Sequence, residues 1–377
     1  MTKSRKLLSD NPEPQILPTI LTMKALIPSI ILIVFAVIAF AYASTPPPDK
    51  NGDVQVVHRE DKKRVDVYID DTLFTSYLFS EEGSSLKKPV LYPLRTASGI
   101  DITRGYPYEQ RAGERVDHPH HIGHWLNYGD VNGLDFWNHS ESTPEERKAT
   151  RGTILHRKVL KAEGGENRGI LEVEMDWLKP DGSVILTETT RFTFKKSDNK
   201  RMVDRITTLT APQEDVKFTD NKEGMLAIRV TRALEHPSDD EVLLTNEMGK
   251  PMEEKVIDNT GVSGQYLSSE GLSGTGVWGT RASWMILSGI IHDENVSVAI
   301  IDHPSNPGYP TYWHARGYGL FAANPLGQKV FSKGEEELNF SLKKGESTTF
   351  QYRIVILSND ADPSHTIEML SKAFSEV

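Results

Sequence analysis

Residues 171–194 read LEVEMDWLKPDGSVILTETTRFTF, and the fold class turns on them. Leu171, Val173, Met175 and Trp177 alternate with Glu172, Glu174 and Asp176, the period of two of a strand with one dry face and one wet face. Pro180-Asp181-Gly182 supplies turn chemistry, and an extended pattern resumes over Val184–Phe194, so the two arms predict a hairpin. In the second arm Val184, Leu186, Thr190, Phe192 and Phe194 share a face with Glu188. A carboxyl among apolar side chains must be paired, neutral or functional, and a buried arginine such as Arg229 is the expected partner.

Similar short runs rich in β-branched and aromatic residues lie on either side. They predict strands at Val54–His58, Arg64–Ile69, Thr72–Phe79, Val90–Leu94, Met225–Val230, Trp284–Ile291, Val296–Ile301, Leu338–Leu342 and Thr348–Leu357. Only Ser364–Phe374 reads as a helix, with Ser364 as its cap and Ile367, Leu370 and Phe374 on one face. Many strands without interleaved helices indicate an all-β protein, a large antiparallel β-sandwich with a short C-terminal helix. No repeat period or internal linker interrupts residues 53–377, which are read as a single domain.

The chain of 377 residues has no cysteine, so it has no disulfide framework, thiol nucleophile or zinc-thiolate site. Its formal charge of −10 has the wrong sign for a general nucleic-acid binder. Lys24, the apolar run ALIPSIILIVFAVIAFAYA and Ala41-Tyr42-Ala43 ahead of Ser44 match the three parts of a secretory signal. Residues 1–43 are therefore read as leader and signal peptide, cleaved after Ala43, and 44–52 as a linker; Met23 is an alternative start. The expected location is the periplasm or outside the cell. An uncleaved signal, long enough to span a bilayer, is the competing reading and the sole expected membrane contact.

Asp117-His118-Pro119-His120-His121-Ile122-Gly123-His124-Trp125 holds four of the 12 histidines, followed by Asn132, Asp135 and Trp137. Pro119 and Gly123 favour an irregular strand end or loop, where sites are commonly built. Neutral imidazole is both a metal ligand and an acid or base near pH 7, so the cluster could serve either use. A second group is Asp302, His303 and Asn306, leading into Tyr312–Tyr318, where an extended chain puts Tyr312, His314, Arg316 and Tyr318 on one face. A third is the turn before Met225, which presents Lys222 and Glu223, with Glu223 as a candidate general base steadied by Lys222 or Arg229. Trp278, Arg281 and Trp284 add aromatic surface and a cation. Nucleotide-binding GxxxxGK[ST], HExxH and GxSxG motifs are all absent.

The run DHPHHIGHWLNYGDVNGLDFWNHS resembles the signature of a bacterial family, common in Bacteroidetes and Planctomycetes, that carries the label "methane oxygenase PmoA". DNKEGMLAIRV, WGTRASW and AIIDHPSNPGYPTYWHARGYGLFAANPLG look like its later blocks, in the same order. Family positions fall here on His118, His120, His121, Gly123, Asn132, Asp135 and Trp137, then Lys222, Glu223, Arg229, Trp278, Arg281, Asp302, Pro304, Asn306, His314 and Arg316. His124 departs from the pattern. The resemblance implies an exported β-sandwich of polysaccharide-degrading bacteria, for which a galactose-mutarotase-like supersandwich is one form.

Together these readings give an exported carbohydrate-active enzyme, a hydrolase, lyase or epimerase acting on a sugar or modified glycoside. His120 or His121 and Glu223 would exchange protons, while His314 and Arg316 stabilise developing negative charge. Trp125, Trp137 or Trp278 would stack on the sugar. His118, Asn132, Asp135, Lys222, Arg229, Arg281, Asp302, His303 and Asn306 complete the expected binding set. Three alternatives stay open: Glu223 paired with Asp302 or Glu188 as in a two-carboxylate glycosidase, a divalent metal at the His cluster, and a non-catalytic sugar-binding sandwich. Convergence of the His segment with the Glu223 turn separates enzyme from binder.

Overall fold

The computed structural model describes residues 53–376; the signal and linker readings lie outside them. The strands in chain order are β1 (Val54–Arg59), β2 (Arg64–Ile69), β3 (Thr72–Leu78), β4 (Val90–Leu94), β5 (His124–Tyr128) and β6 (Thr153–Glu163). Next come β7 (Arg168–Leu178), β8 (Val184–Ser197), β9 (Lys200–Thr210), β10 (Val216–Lys217), β11 (Gly224–Arg229) and β12 (Gln265–Ser268). The last are β13 (Trp284–Ile291), β14 (Glu294–Asp302), β15 (Tyr312–Ala315), β16 (Leu320–Asn324), β17 (Ser341–Leu342) and β18 (Ser347–Ser358). They build two eight-stranded antiparallel sheets, ordered β1-β2-β3-β4-β5-β11-β16-β15 and β12-β13-β14-β18-β9-β8-β7-β6. The short pair β10-β17 stands apart.

The expected β7–β8 hairpin forms, with Leu178 opposite Val184 and Met175 opposite Glu188. Inward-facing side chains of both sheets, among them Leu171, Val173, Phe192, Leu226, Ile228, Trp313 and Ile354, form the main core. Burial of this continuous apolar layer is the dominant driving force for the fold. A second apolar cluster covers the outer face of the β12–β6 sheet, where Ile367 and Phe374 of the helix α1 (Pro363–Ser375) pack on Trp284, Ile301 and Val355. Asp362 rather than Ser364 caps this helix, accepting from the His365 backbone N–H at 3.1 Å. Two other readings are corrected: Leu338–Leu342 is extended only over β17, and Tyr312–Tyr318 only as far as Ala315. Beyond Ala315 the Arg316 backbone pairs with Leu320 and turns through Gly317 and Tyr318.

A third cluster decides where the site is. It lies on the outer face of the β1–β15 sheet and includes Tyr92, Trp125, Trp137, Ala227, Leu320 and Ala322. Along β5 the parity of the strand sends His124, Leu126 and Tyr128 toward the core and Trp125 and Asn127 outward. The pairs Trp125–Ala227, Ala227–Ala322 and Ala322–His314 align four outward side chains across β5, β11, β16 and β15. Two alanines at the centre of that row leave a low floor between a tryptophan and a histidine.

Candidate functional site

Trp137, from the loop after β5, fills the floor. Its ring lies 5.4 Å from Trp125, 5.7 Å from His121 and 6.5 Å from His314. Both tryptophans are at most 1% exposed, so neither offers a face for a sugar to stack on, contrary to the sequence reading. They are the base of the site. Their apolar area is spent on packing, and the polar groups above them are held in place by it.

The His segment crosses this base as a tight turn, with the His121 N–H donating to the His118 carbonyl at 2.9 Å. His118 takes a positive φ of 39° and Gly123 one of 58°. Four rings then stack in series: Tyr318 on His118 at 4.9 Å, His118 on His121 at 4.8 Å and His121 on Trp125 at 5.2 Å. Gly123 is fixed by a close approach as well as by φ, since a Cβ there would sit 2.2 Å from the Leu91 carbonyl oxygen. Gly123→Ala should therefore cost well over about 1 kcal/mol in urea unfolding, because the backbone of β4 cannot move aside as a side chain could. A loss below that would mean the turn relaxes freely.

Two arginines and Asp117 hold the turn. Arg104 donates to Asp117 Oδ1 at 2.5 Å and to the carbonyls of His118 and His121 at 3.0 and 3.2 Å. Arg229 donates to the same Asp117 oxygen at 2.7 Å and to His121 Nδ1 at 3.3 Å. A guanidinium can only donate, so His121 Nδ1 accepts and the neutral ring carries its proton on Nε2. That Nε2 is buried and has no partner among the described residues, and neither does Trp137 Nε1. Buried polar atoms without partners are uncommon and call for a ligand or water.

The Glu223 turn arrives from the other side. Glu223 Oε1 pairs with Lys222, and Oε2 lies 3.7 Å from His314 Nδ1, a buried nitrogen with no hydrogen-bond partner among the described residues. Burial, helped by the Lys222 and Arg316 charges, lowers the His314 imidazole to about 3. Burial and the Lys88 charge lower His120 to about 2, and burial beside His120 and Arg229 puts His121 well below its usual range. At neutral pH all three rings are uncharged, able to accept a proton or hold a hydrogen bond but not pre-charged as acids. At the rim, exposed Arg316 places its guanidinium 5.5 Å from the half-buried Trp278 ring and 5.7 Å from Tyr318.

The His segment, the Glu223 turn, His314, Arg316, Trp278 and Arg229 are thus gathered around Trp137 and Tyr318. The other candidates are tied into structural turns. Asp302 accepts from Asn306 Nδ2 at 2.7 Å and the Thr311 N–H at 2.8 Å, and burial raises its carboxyl to about 7. Asn306 is clamped to the Gln351 backbone, and His303 packs on Phe374 of α1. Arg281 donates to the Pro310 and Gly308 carbonyls and to Glu336. Asp135 binds the backbone of Trp137 and Asn138 together with Arg151, and Asn132 bridges to Asp215 and Lys217. Glu188 lies in the core between the sheets, bound to Trp177 and to Arg205 rather than Arg229. Neither Asp302 nor Glu188 can act as a second carboxylate to Glu223.

The metal reading fares no better. His118 and His121 stack within 3° of parallel at 4.8 Å, so their in-plane lone pairs cannot both meet one ion at the roughly 2 Å that imidazole ligation requires. Among the described residues no group of three or more His, Asp or Glu is arranged to hold a metal. Sequence reasoning passed over Arg104 and Lys88, each buried in a segment with no motif around it, and gave Asp117 no role although it heads the His run.

The chain belongs to a family described as a family of unknown function (DUF6807), whose model matches residues 64–370. No curated protein matches the sequence. Among solved structures, the chain is similar to the GH36 α-galactosidase AgaB from Geobacillus stearothermophilus at 12% identity and a TM-score of 0.39, covering 81% of this chain and 41% of that one. It is similar to a galactose 1-epimerase from Lactobacillus acidophilus NCFM at 9% identity and a TM-score of 0.34, covering 81% of this chain and 98% of that one. A glycoside hydrolase family 97 enzyme from Pseudoalteromonas sp. strain K8 matches at 10% identity and a TM-score of 0.31, over 84% of this chain and 35% of that one. The chain spans about two-fifths of the α-galactosidase.

Proposed function

We propose that this member of the family is an exported carbohydrate-active enzyme whose chemistry is proton transfer at the Glu223–His314 pair. The observation that carries the reading is the convergence of the His segment and the Glu223 turn on one side of the β1–β15 sheet. There the unpartnered nitrogens of His121, Trp137 and His314 are grouped around a single indole. Sugar hydroxyls can both donate and accept, so they suit such a set, and the rim of Trp278, Tyr318 and Arg316 offers aromatic faces with a cation between them.

With one available carboxylate beside a neutral imidazole, abstraction and return of a carbon-bound proton fit better than two-carboxylate hydrolysis. The reading therefore favours a lyase or epimerase. Either Glu223 or His314 would take the proton, and Arg316 would face the developing negative charge.

Incubating reducing sugars, uronates and aryl glycosides with the protein in D2O, followed by proton NMR, tests this. A carbon-bound proton of one sugar class should exchange with solvent, and Glu223→Gln should slow that exchange by about a hundredfold or more. A sugar that binds the unmodified protein without exchange or bond cleavage would sink the enzyme reading and leave a binding sandwich.

A further inference from the structure

Against the His turn, and lined in part by its Pro119, His120 and Ile122, lies a cavity. Its volume is about 320 Å3, within the size range of small-molecule pockets. Lys88, His120, Tyr106, His139 and Glu141 are among its lining residues. Lys88 is only 4% exposed. Its Nζ donates to the His120 carbonyl at 2.6 Å and stands 5.1 Å from the Trp125 ring centroid. Among the described residues no carboxylate comes within ion-pair distance of it. Lysines are almost never this buried unless paired, so an unpaired one lining a small cavity has to be accounted for.

We propose that Lys88 is a reactive amine that forms an imine with a small hydroxylated carbonyl compound, such as an open-chain sugar aldehyde, held in this cavity. An ammonium here would have one protein acceptor and one ring for three donors; a neutral amine has a lone pair left for a carbonyl carbon. Burial lowers the amine to about 7 against the opposing charge of Asp135, which leaves about half of it free at neutral pH. The other titratable groups lining the cavity are His120 and His139, both lowered by burial, together with Tyr106, Tyr108, Glu141 and Lys87.

The step balances without a further reactant. The lone pair attacks the carbonyl carbon and the C=O pair moves to oxygen, which takes up the proton that nitrogen loses. The carbon–oxygen bond then breaks, and the oxygen leaves as water with the second proton of the amine. This chemistry uses neither Glu223 nor His314, so it stands or falls separately from the proton-transfer reading.

The test is reductive trapping of the unmodified protein with glycolaldehyde and cyanoborohydride, which delivers hydride to the imine carbon, followed by peptide mass mapping. At pH 7 Lys88 should gain one hydroxyethyl group at least tenfold faster than exposed Lys344. The Lys88 rate should level off just above pH 7. Labelling of Lys88 no faster than Lys344, or no labelling of it at all, overturns the proposal.

Discussion

Arg205→Met should destabilise the fold by about 3–5 kcal/mol, the range for removing one member of a buried ion pair. Arg205 is 4% exposed and its partner Glu188 1%. The guanidinium donates to Glu188 Oε1 at 3.0 Å and to Thr207 Oγ1 at 3.1 Å, and it approaches His124 Nε2 at 3.4 Å. Glu188 is completed by the Trp177 indole N–H at 2.8 Å and the Thr190 hydroxyl at 2.6 Å. Without the arginine, a carboxylate stays between two sheets with hydrogen bonds but no counter-charge. The double variant Arg205→Met/Glu188→Leu should recover most of the loss, since an apolar replacement of the whole pair leaves no stranded charge. Urea unfolding of the single and double variants decides it. A single-variant loss under about 1 kcal/mol would mean that water reaches the carboxylate.

That pair shows what the sequence could and could not say. Period-two alternation placed Glu188 on the apolar face of its strand, and the structure has it there. The choice of Arg229 as partner failed on parity. On β11, Ile228 packs in the core and Arg229 is directed outward with Ala227. The true partner is on β9, Lys200–Thr210, a strand whose inward side includes Arg205 and Thr207 as well as Val203 and Leu209. That mixture hides the apolar stripe by which strands are recognised. His124 was obscured in a similar way: it belongs to β5 and to the core network, while its neighbours in the His run belong to the site. Gathering of the His segment with the Glu223 turn was legible as a possibility, because both precede strands. Their adjacency depended on β5 pairing with β11 across nearly a hundred residues of chain, which no local pattern encodes. The tryptophans misled for a physical reason, since an indole that forms the floor of a polar site has the same composition signal as one that stacks on a sugar.

Asp117→Asn should lower stability by a similar amount, about 3–5 kcal/mol at pH 7, and should also disorder the ring stack. One carboxylate oxygen of Asp117 accepts from both Arg104 and Arg229, which are 1% and 0% exposed. Neutralising it leaves two buried guanidiniums repelling each other, with the His118 and His121 carbonyls bound to one of them and His121 Nδ1 to the other. Burial by itself would raise the Asp117 carboxyl, but Arg229, His118 and Arg104 together hold it below the usual carboxylate range. A folded-state value below the unfolded one, about 3.9, stabilises fully above that pH and progressively less as the pH falls through the interval between the two. The stability gap between the unmodified protein and Asp117→Asn should therefore be largest near pH 7 and shrink below about pH 4. Added salt should change it little, because buried charges are weakly screened. Urea midpoints at pH 7 and pH 3, read beside the near-ultraviolet circular dichroism of Trp125 and Trp137, measure both effects. A gap of equal size at the two pH values would show that Asp117 acts through shape rather than charge, and the stack would then have to be held by Tyr318 and Trp125 alone.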